Sequence, residues 1–351
     1  MSYGTKPKTS HPLLSVNELG FTRRHYEGSL STLCAGCGHD AISACIVEAC
    51  FNLNLPPHRI AKLSGIGCSS KTPTYFLPQA HGFNSVHGRM PSMATGAALA
   101  NRDLVYLGVS GDGDTASIGL GQYCHVIRRR LNMLYIVENN GTYGLTKGQF
   151  SATNDRSSPS RRGNLAGFDS FDLCALAVQL GAGFVARSFS GDRAQLVPLL
   201  ESALQFEGFA FIDIVSPCVT FNNHSASTKS YEYVREHAQA VSATDLVPVR
   251  NEITAQAEPG QTVDVKMHDG TSKTFQYLTA DYDPTDTVAT LTKLQEARAS
   301  GQILTGLISL RPDDGDLHEA INTTKQPLSE VEHQNLCPGS EVLELINQQH
   351  R

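Results

Sequence analysis

LVYLGVSGDGDTASIG (Leu104–Gly119) and LNMLYIVENNGTYGLTKG (Leu131–Gly148) share one form. In each, apolar and partly β-branched residues (Leu104 to Val109, then Met133 to Val137) lead into a polar, glycine-bearing turn. Such runs mark buried parallel strands with helices covering both faces. The first turn carries Asp112 in Gly-Asp-Gly and the second carries Asn140 in Glu-Asn-Asn-Gly. In open α/β sheets, ligands sit where strands end and their loops meet. One carboxylate, one amide and nearby backbone carbonyls are hard oxygen donors that suit Mg²⁺, which also takes diphosphate oxygens and water. Gly111 and Gly113 let a backbone come close to phosphates, and a helix expected near Thr115 offers free N–H groups to an anion.

Working outward, 351 residues give room for one large domain and an appendage. No apolar run approaches the roughly 20 residues that span a bilayer. The start, MSYGTKPKTSHP, lacks the apolar segment of a secretory signal. No membrane is expected as a partner. A formal charge of −6 argues against nucleic acid as one. The triplet Arg128 to Arg130 falls at a predicted helix C-terminus, where cations suit the dipole, and reads as structural. Nine cysteines, an odd number in a chain without a signal, point to a reducing, cytoplasmic setting and to thiol or metal chemistry rather than disulfides.

Residues 1–32 are polar and irregular and read as an arm draped over a partner. From about His39, Ile42, Cys45, Ile46, Ala49 and Leu53 fall at helical spacing, and Pro56 closes the segment. Cys34 and Cys37 form a C-x-x-C just ahead of this helix, where N–H groups ease thiolate charge. By itself it fits a redox dithiol, half a zinc site or half an iron–sulfur site. Cys68 follows the short apolar run Ile60 to Leu63, and Cys218 follows the strand expected at Phe209 to Val215. Both are delivered to one rim of a sheet. Cys45, Cys50, Cys124 and Cys174 lie within expected helices and read as core; Cys337 has no assigned role. His87, Gly88 and Arg89 sit in a loop before a small-residue helix, Ser92 to Ala100. Residues 149–170, rich in Ser, Asn, Gly and Arg, read as a surface loop near the site. Helices at Phe171 to Leu180 and Arg193 to Phe206 alternate with strands at Phe184 to Ser188 and Phe209 to Val215. The fold class is therefore α/β, a mainly parallel sheet with helices on both faces. Residues 33–235 make the domain. Residues 236–351 read as a C-terminal extension, with a hairpin turning at Asp269-Gly270 and a helix over Asp286 to Ala299.

The pairing of GDG with a downstream ENN, one strand–helix–strand unit apart, resembles the diphosphate-binding motif of thiamine-diphosphate enzymes. Together with LCAGCGH, GIGCSSK, HGRMPSMATGAALAN and YGLTKGQFS, it resembles the beta subunit of 2-oxoacid:ferredoxin oxidoreductases over about residues 30–235. The resemblance implies one 4Fe-4S cluster on Cys34, Cys37, Cys68 and Cys218. It implies Mg²⁺ on Asp112, Asn140 and the carbonyl of Thr142. Gly67, Cys68, Ser69, His87, Gly111, Gly113, Asp114, Tyr143, Gly144, Leu145 and Thr146 would line the thiamine diphosphate and its surroundings. Lys71 and Leu145 would stand beside the reacting carbon, and Lys147 divides evenly between site and surface. The family pattern usually has Cys-Pro-Gly-Cys, where position 35 here is Ala. It often has Phe-Asn-Asp after the fourth cysteine, where Phe221 here precedes Asn222 and Asn223, so no role passes to those two.

The implied reaction is coenzyme A-dependent oxidative decarboxylation of a 2-oxo acid, most like the 2-oxoglutarate type. CO₂ leaves because the thiazolium ring is an electron sink, and electrons pass through the cluster to ferredoxin. Pyruvate or a branched or aromatic 2-oxo acid is the close alternative. A cluster-only electron-transfer subunit or a zinc-stabilised binding module is the more distant one. A thiamine enzyme also needs a carboxylate facing the aminopyrimidine, and this chain has one α/β domain rather than two. An obligate alpha subunit is therefore implied, in a heterodimer or a dimer of heterodimers.

Overall fold

The computed structural model describes residues 11, 13–156, 167–216, 218, 262–266, 272–279, 281–311, 315–337 and 339–350. Within it the runs Val105–Gly111 (β3) and Met133–Asn139 (β4) pair in parallel at the centre of a nine-stranded sheet. Every residue of β4 and of Phe209–Val215 (β8) is buried, as strands covered on both faces must be. With Ile60–Ser64 (β1), His81–Asn84 (β2) and Phe184–Phe189 (β7), these strands form a parallel block in the order β2-β1-β3-β4-β8-β7. The mainly parallel α/β architecture is as expected. β2 was not: its four exposed residues read HGFN, without the apolar run that identifies a buried strand.

Helices Gly38–Asn52 (α1) and Arg193–Gln205 (α5) pack on one face around Ile42, Ile46, Leu196 and Leu200. The other face carries Met90–Ala100 (α2), Leu120–Arg128 (α3), Leu173–Gln179 (α4) and a helix at Thr287–Ala299. Tyr123 anchors that face, its ring 5.1 Å from Phe211 and 5.6 Å from Tyr135 in edge contacts.

Both chain ends depart from a bare domain with appendages. Residues 13–32, expected as an arm over a partner, pack on their own chain. Tyr26 is fully buried, edge-on to Phe51 at 6.0 Å, and Glu27 bridges to Phe76. Two aromatics, Phe21 and Tyr26, supply the anchor inside an otherwise polar stretch. In the C-terminal region, Ile303–Leu310 (β11) adds antiparallel to β7, and Thr262–Lys266 (β9) and Ser272–Tyr277 (β10) pair antiparallel beyond it. The expected turn at Asp269-Gly270 and the boundary at residue 236 lie outside the described residues. Helix Thr287–Ala299 starts where Asp286 accepts the N–H groups of Val288 and Ala289. Cys45, Cys50 and Cys174 are buried as expected, whereas Cys124 is only half-buried.

Candidate functional site

From β1 the chain moves outward to β2; from β3 it moves the opposite way to β4. The carboxyl ends of β1 and β3 therefore flank a topological switch point, the natural ligand crevice of this fold class. A cavity lies there. It is lined by Gly67, Cys68 and Ser69 after β1, by His87, by Gly111 to Asp114 after β3, and by Asn140 and Thr142 to Thr146 after β4. Every cofactor-binding residue expected from sequence, Leu145 included, meets at this one cavity.

Asp112 is buried in its wall, and the Asn140 backbone N–H donates to its Oδ1 at 3.2 Å. The Thr142 N–H donates to Asn140 Oδ1 at 3.1 Å. Carboxylate, amide oxygen and turn backbone thus converge. Helical structure begins sooner than expected, at Gly113 rather than Thr115, in a wide turn to Ile118 closed by Gly119 N–H to the Asp114 carbonyl at 2.8 Å. The two glycines serve packing: a Cβ on Gly111 would stand 2.7 Å from Ser69 Oγ, and one on Gly113 2.6 Å from the Tyr143 ring. Their bare faces let the β1 and β4 turns close on the β3 turn. Asp114 faces inward, accepting the Gly88 N–H at 2.9 Å and the Ser110 hydroxyl at 2.9 Å, with His87 Nδ1 at 2.7 Å. It orients His87, whose other ring nitrogen is left to the half-exposed outer side.

Cys68 follows β1 and Cys218 follows β8, while Cys34 and Cys37 stand just ahead of α1. Cys37 caps α1, its N–H bonded to the Cys34 carbonyl at 3.0 Å. Burial pushes the Cys37 thiol far up, and the nearby Glu138 and Cys218 add to this. Cys68 is raised by burial and then by Cys218, with Lys71 opposing and Cys34 adding. Cys218 thus lies within electrostatic reach of Cys37 and of Cys68, and Cys34 within reach of Cys68. Among the described residues, no three His, Cys, Asp or Glu side chains are close enough to share a single metal ion. Lys71 sits one turn beyond Cys68, its N–H on the Cys68 carbonyl at 3.1 Å, and outside the cavity lining. Lys147 is exposed, with a left-handed backbone. Beneath this segment Lys62 on β1 donates to the carbonyls of Pro73, Phe76 and Leu77 at 2.5, 2.6 and 2.9 Å. Burial lowers its pKa to about 8, against the pull of those three acceptors.

Four groups escaped the sequence reading. Glu138 and His39 are buried in the wall of the same cavity, with His39 Nδ1 2.7 Å from Ser216 Oγ and 3.7 Å from Glu138 Oε2. Burial lowers His39 to about 4, so it is neutral at pH 7, and raises Glu138 well above the usual carboxyl range. Ser151 and Thr153, placed by sequence in a surface loop, are instead buried against Asp112. A glutamate ending an otherwise apolar strand was the legible signal for the first; nothing local marked the hydroxyls. The His39 shift has a pH signature. The unfolded histidine binds its proton near pH 6.5 and the folded one only near 4, so this stabilisation is complete above about 6.5 and drains away below it. Urea midpoints at pH 7 and 5 should differ by about 2 kcal/mol through this residue, and His39→Gln should lose that part of the slope. Glu138 has the opposite sign, favouring the fold at low pH.

A family model described as "Thiamine pyrophosphate enzyme, C-terminal TPP binding domain" matches residues 65–214. The chain is 39% identical over 193 residues to a 2-oxoacid:ferredoxin oxidoreductase subunit beta of a Sulfolobus species, covering 54% of this chain and 63% of that protein. It is 40% identical over 193 residues to the 2-oxoglutarate oxidoreductase subunit KorB of Mycobacterium tuberculosis (55% and 51%). It is 36% identical over 189 residues to the 2-oxoglutarate synthase subunit KorB of Methanocaldococcus jannaschii (54% and 69%). The chain thus spans between half and about two thirds of the length of these relatives. A solved 2-oxoglutarate:ferredoxin oxidoreductase from Magnetococcus marinus, with 2-oxoglutarate, coenzyme A and succinyl-CoA bound, superimposes with a TM-score of 0.72 at 25% identity. That match covers 96% of this chain and 99% of the other. With the motifs, the switch-point cavity and these relatives in agreement, the chain belongs to the family of 2-oxoacid:ferredoxin oxidoreductase beta subunits.

Proposed function

We propose that this chain is the beta subunit of a 2-oxoglutarate-type ferredoxin oxidoreductase, forming acyl-CoA and CO₂ from a 2-oxo acid and passing electrons through a 4Fe-4S cluster to ferredoxin. The observation that carries the proposal is the meeting of Asp112, Asn140 and the Thr142–Thr146 turn in one switch-point cavity beside four loop cysteines. The donor set fits Mg²⁺: a carboxylate, an amide oxygen and a backbone carbonyl, all hard ligands, with the Asp112 and Asn140 side chains already oriented by backbone N–H groups. Thiamine diphosphate, when bound, supplies the electron sink that lets a 2-oxo acid lose CO₂.

The chain's own residues do the rest. Asp112, Asn140 and the Thr142 carbonyl hold the cation that clamps the diphosphate. His87, steadied by Asp114, offers its outer nitrogen to the anion. Leu145, half-exposed at the cavity mouth, shapes the space over the reacting carbon, and Lys71 sets a positive charge beside Cys68. The thiols fit a cluster better than one zinc ion. Zinc needs all four sulfurs around a common point, whereas each thiolate of a four-iron cluster takes a different iron. The second α/β domain that would face the aminopyrimidine comes from an alpha subunit, in a heterodimer or a pair of them. No helix among the described residues is long and apolar enough to cross a membrane, and nine cysteines, an odd number, suit a reducing, cytoplasmic setting.

The deciding experiment uses the chain co-expressed with its alpha partner and purified without oxygen. A panel of 2-oxo acids is offered with coenzyme A while viologen or ferredoxin reduction is followed, and iron, acid-labile sulfide and zinc are measured. Fastest turnover of 2-oxoglutarate with four irons per chain is expected. Zinc without sulfide, or no 2-oxo acid turnover, would overturn the proposal.

A further inference from the structure

We infer that Ser151 and Thr153 are positioning residues for Asp112, and that Thr153 ties this carboxylate to a buried ion cluster formed by Asp172, Arg187 and Asp213. The inference rests on reading Asp112 as the magnesium ligand. Both hydroxyls reach the same oxygen, Asp112 Oδ2; Thr153 does so at 2.8 Å, and Ser151 makes a shorter bond. Thr153 Oγ1 also lies 2.9 Å from Asn139 Oδ1, and Asn139 Nδ2 donates to Asp213 Oδ1 at 2.9 Å. Asp213 Oδ2 in turn accepts Arg187 Nε at 3.0 Å, and Arg187 Nη2 reaches Asp172 at 2.6 Å. An unbroken chain of polar contacts therefore runs from the switch-point cavity to a second cavity, lined in part by Arg187 and Asp213.

Counting protons gives this chain a direction. Asp213 accepts from the Arg187 guanidinium through one oxygen and from the Asn139 NH₂ through the other. The Asn139 oxygen then faces Thr153, whose single proton is divided between that oxygen and Asp112. Asp112 receives one full hydroxyl donor from Ser151 and a shared one from Thr153. That is enough to fix its rotamer. Orientation of this kind is what outer partners supply to metal ligands. It is costly to leave to chance in a side chain only 1% exposed.

A purely structural role would show as lost stability with unchanged cation binding, so affinity is what must be read. The probe is Mn²⁺ titrated by electron paramagnetic resonance into the full chain with its alpha partner, at saturating thiamine diphosphate. Thr153→Val, which keeps the shape and removes the hydroxyl, should weaken Mn²⁺ binding on the order of tenfold, with the melting temperature nearly unmoved. Thr153→Ser should restore it. Ser151→Ala, which removes the other donor, should weaken binding similarly and carries the test should Thr153→Val fail to fold. Wild-type Mn²⁺ affinity in Thr153→Val and Ser151→Ala, with binding lost in Asp112→Asn, would overturn the inference and leave the metal reading standing. Unchanged binding in Asp112→Asn would overturn both.

Discussion

Arg187→Met is expected to destabilise the fold by about 3–5 kcal/mol, the usual result of removing one partner from a buried ion group. Arg187 is the sole cation between two carboxylates among the contacts described for Asp172 and Asp213, at 2.6 and 3.0 Å. The side chains of all three are under a fifth exposed. Burial acts to raise Asp172, but the Arg187 charge and hydrogen bond outweigh it and hold the carboxyl below its ordinary range. The sign is therefore that of a depressed acid. Its stabilisation is present above the ordinary aspartate pKa near 3.9 and is lost as pH falls through the lower folded value. Methionine leaves both carboxylates buried without their counter-charge, and protonation then relieves the strain. Urea unfolding should show the gap between wild type and variant widest near pH 7 and closing toward pH 3. A gap that does not change with pH would mean that lost packing, not charge, is the cause. Arg187→Lys should recover only part of the loss, since a point charge cannot serve two carboxylates through separate Nε and Nη donors as the guanidinium does.

The sheet was legible because its strands announce themselves. β4 and β8 are apolar runs, broken only by Glu138 and Asn139 at the end of β4 and by Asp213 in β8, and the turns after β3 and β4 carry glycines beside Asp112 and Asn140. Periodicity placed α1, α2, α5 and the helix at Thr287–Ala299 within a few residues. What escaped had no local pattern. β2 is four exposed residues held only by β1. Tyr26 is one aromatic in a polar segment, buried by partners distant in sequence. Ser151 and Thr153 lie in a stretch whose composition is that of a surface loop, yet the turn of Thr142–Tyr143 against Gln149–Phe150 folds them back under Asp112. The same logic divides the site itself. Asp112 and Asn140 could be read from spacing along neighbouring strands. The groups that orient Asp112 (Ser151 and Thr153 directly, Asp213 through Asn139) come from other segments and meet only through the fold. Residues that break a local rule, such as the carboxyl group of Glu138 inside a buried strand, were the surest sign of work beyond packing.

Asp112→Ala is expected to abolish retention of thiamine diphosphate with its cation while leaving iron and sulfide content as in the wild type. At an effective dielectric near 20, one charge about 4 Å from a cation is worth about 4 kcal/mol, so affinity should fall on the order of a thousandfold. Cys68 and Cys218 follow other strands, Cys34 and Cys37 precede α1, and none of the contacts described for Asp112 reaches them. The variant should also reveal the cost of the wild-type arrangement. A carboxylate 1% exposed is an expensive group to bury. Three donors, the Ser151 and Thr153 hydroxyls and the Asn140 N–H, only partly offset that cost. Without added cofactor, Asp112→Ala should therefore unfold at a temperature no lower than wild type; with Mg²⁺ and thiamine diphosphate, only the wild type should gain. Thiamine diphosphate measured after gel filtration, beside paired melting curves, checks both halves. Retained cofactor in the variant would remove Asp112 as the ligand. A variant far less stable than wild type without cofactor would instead make the carboxylate a structural group, its buried charge satisfied by protein donors alone.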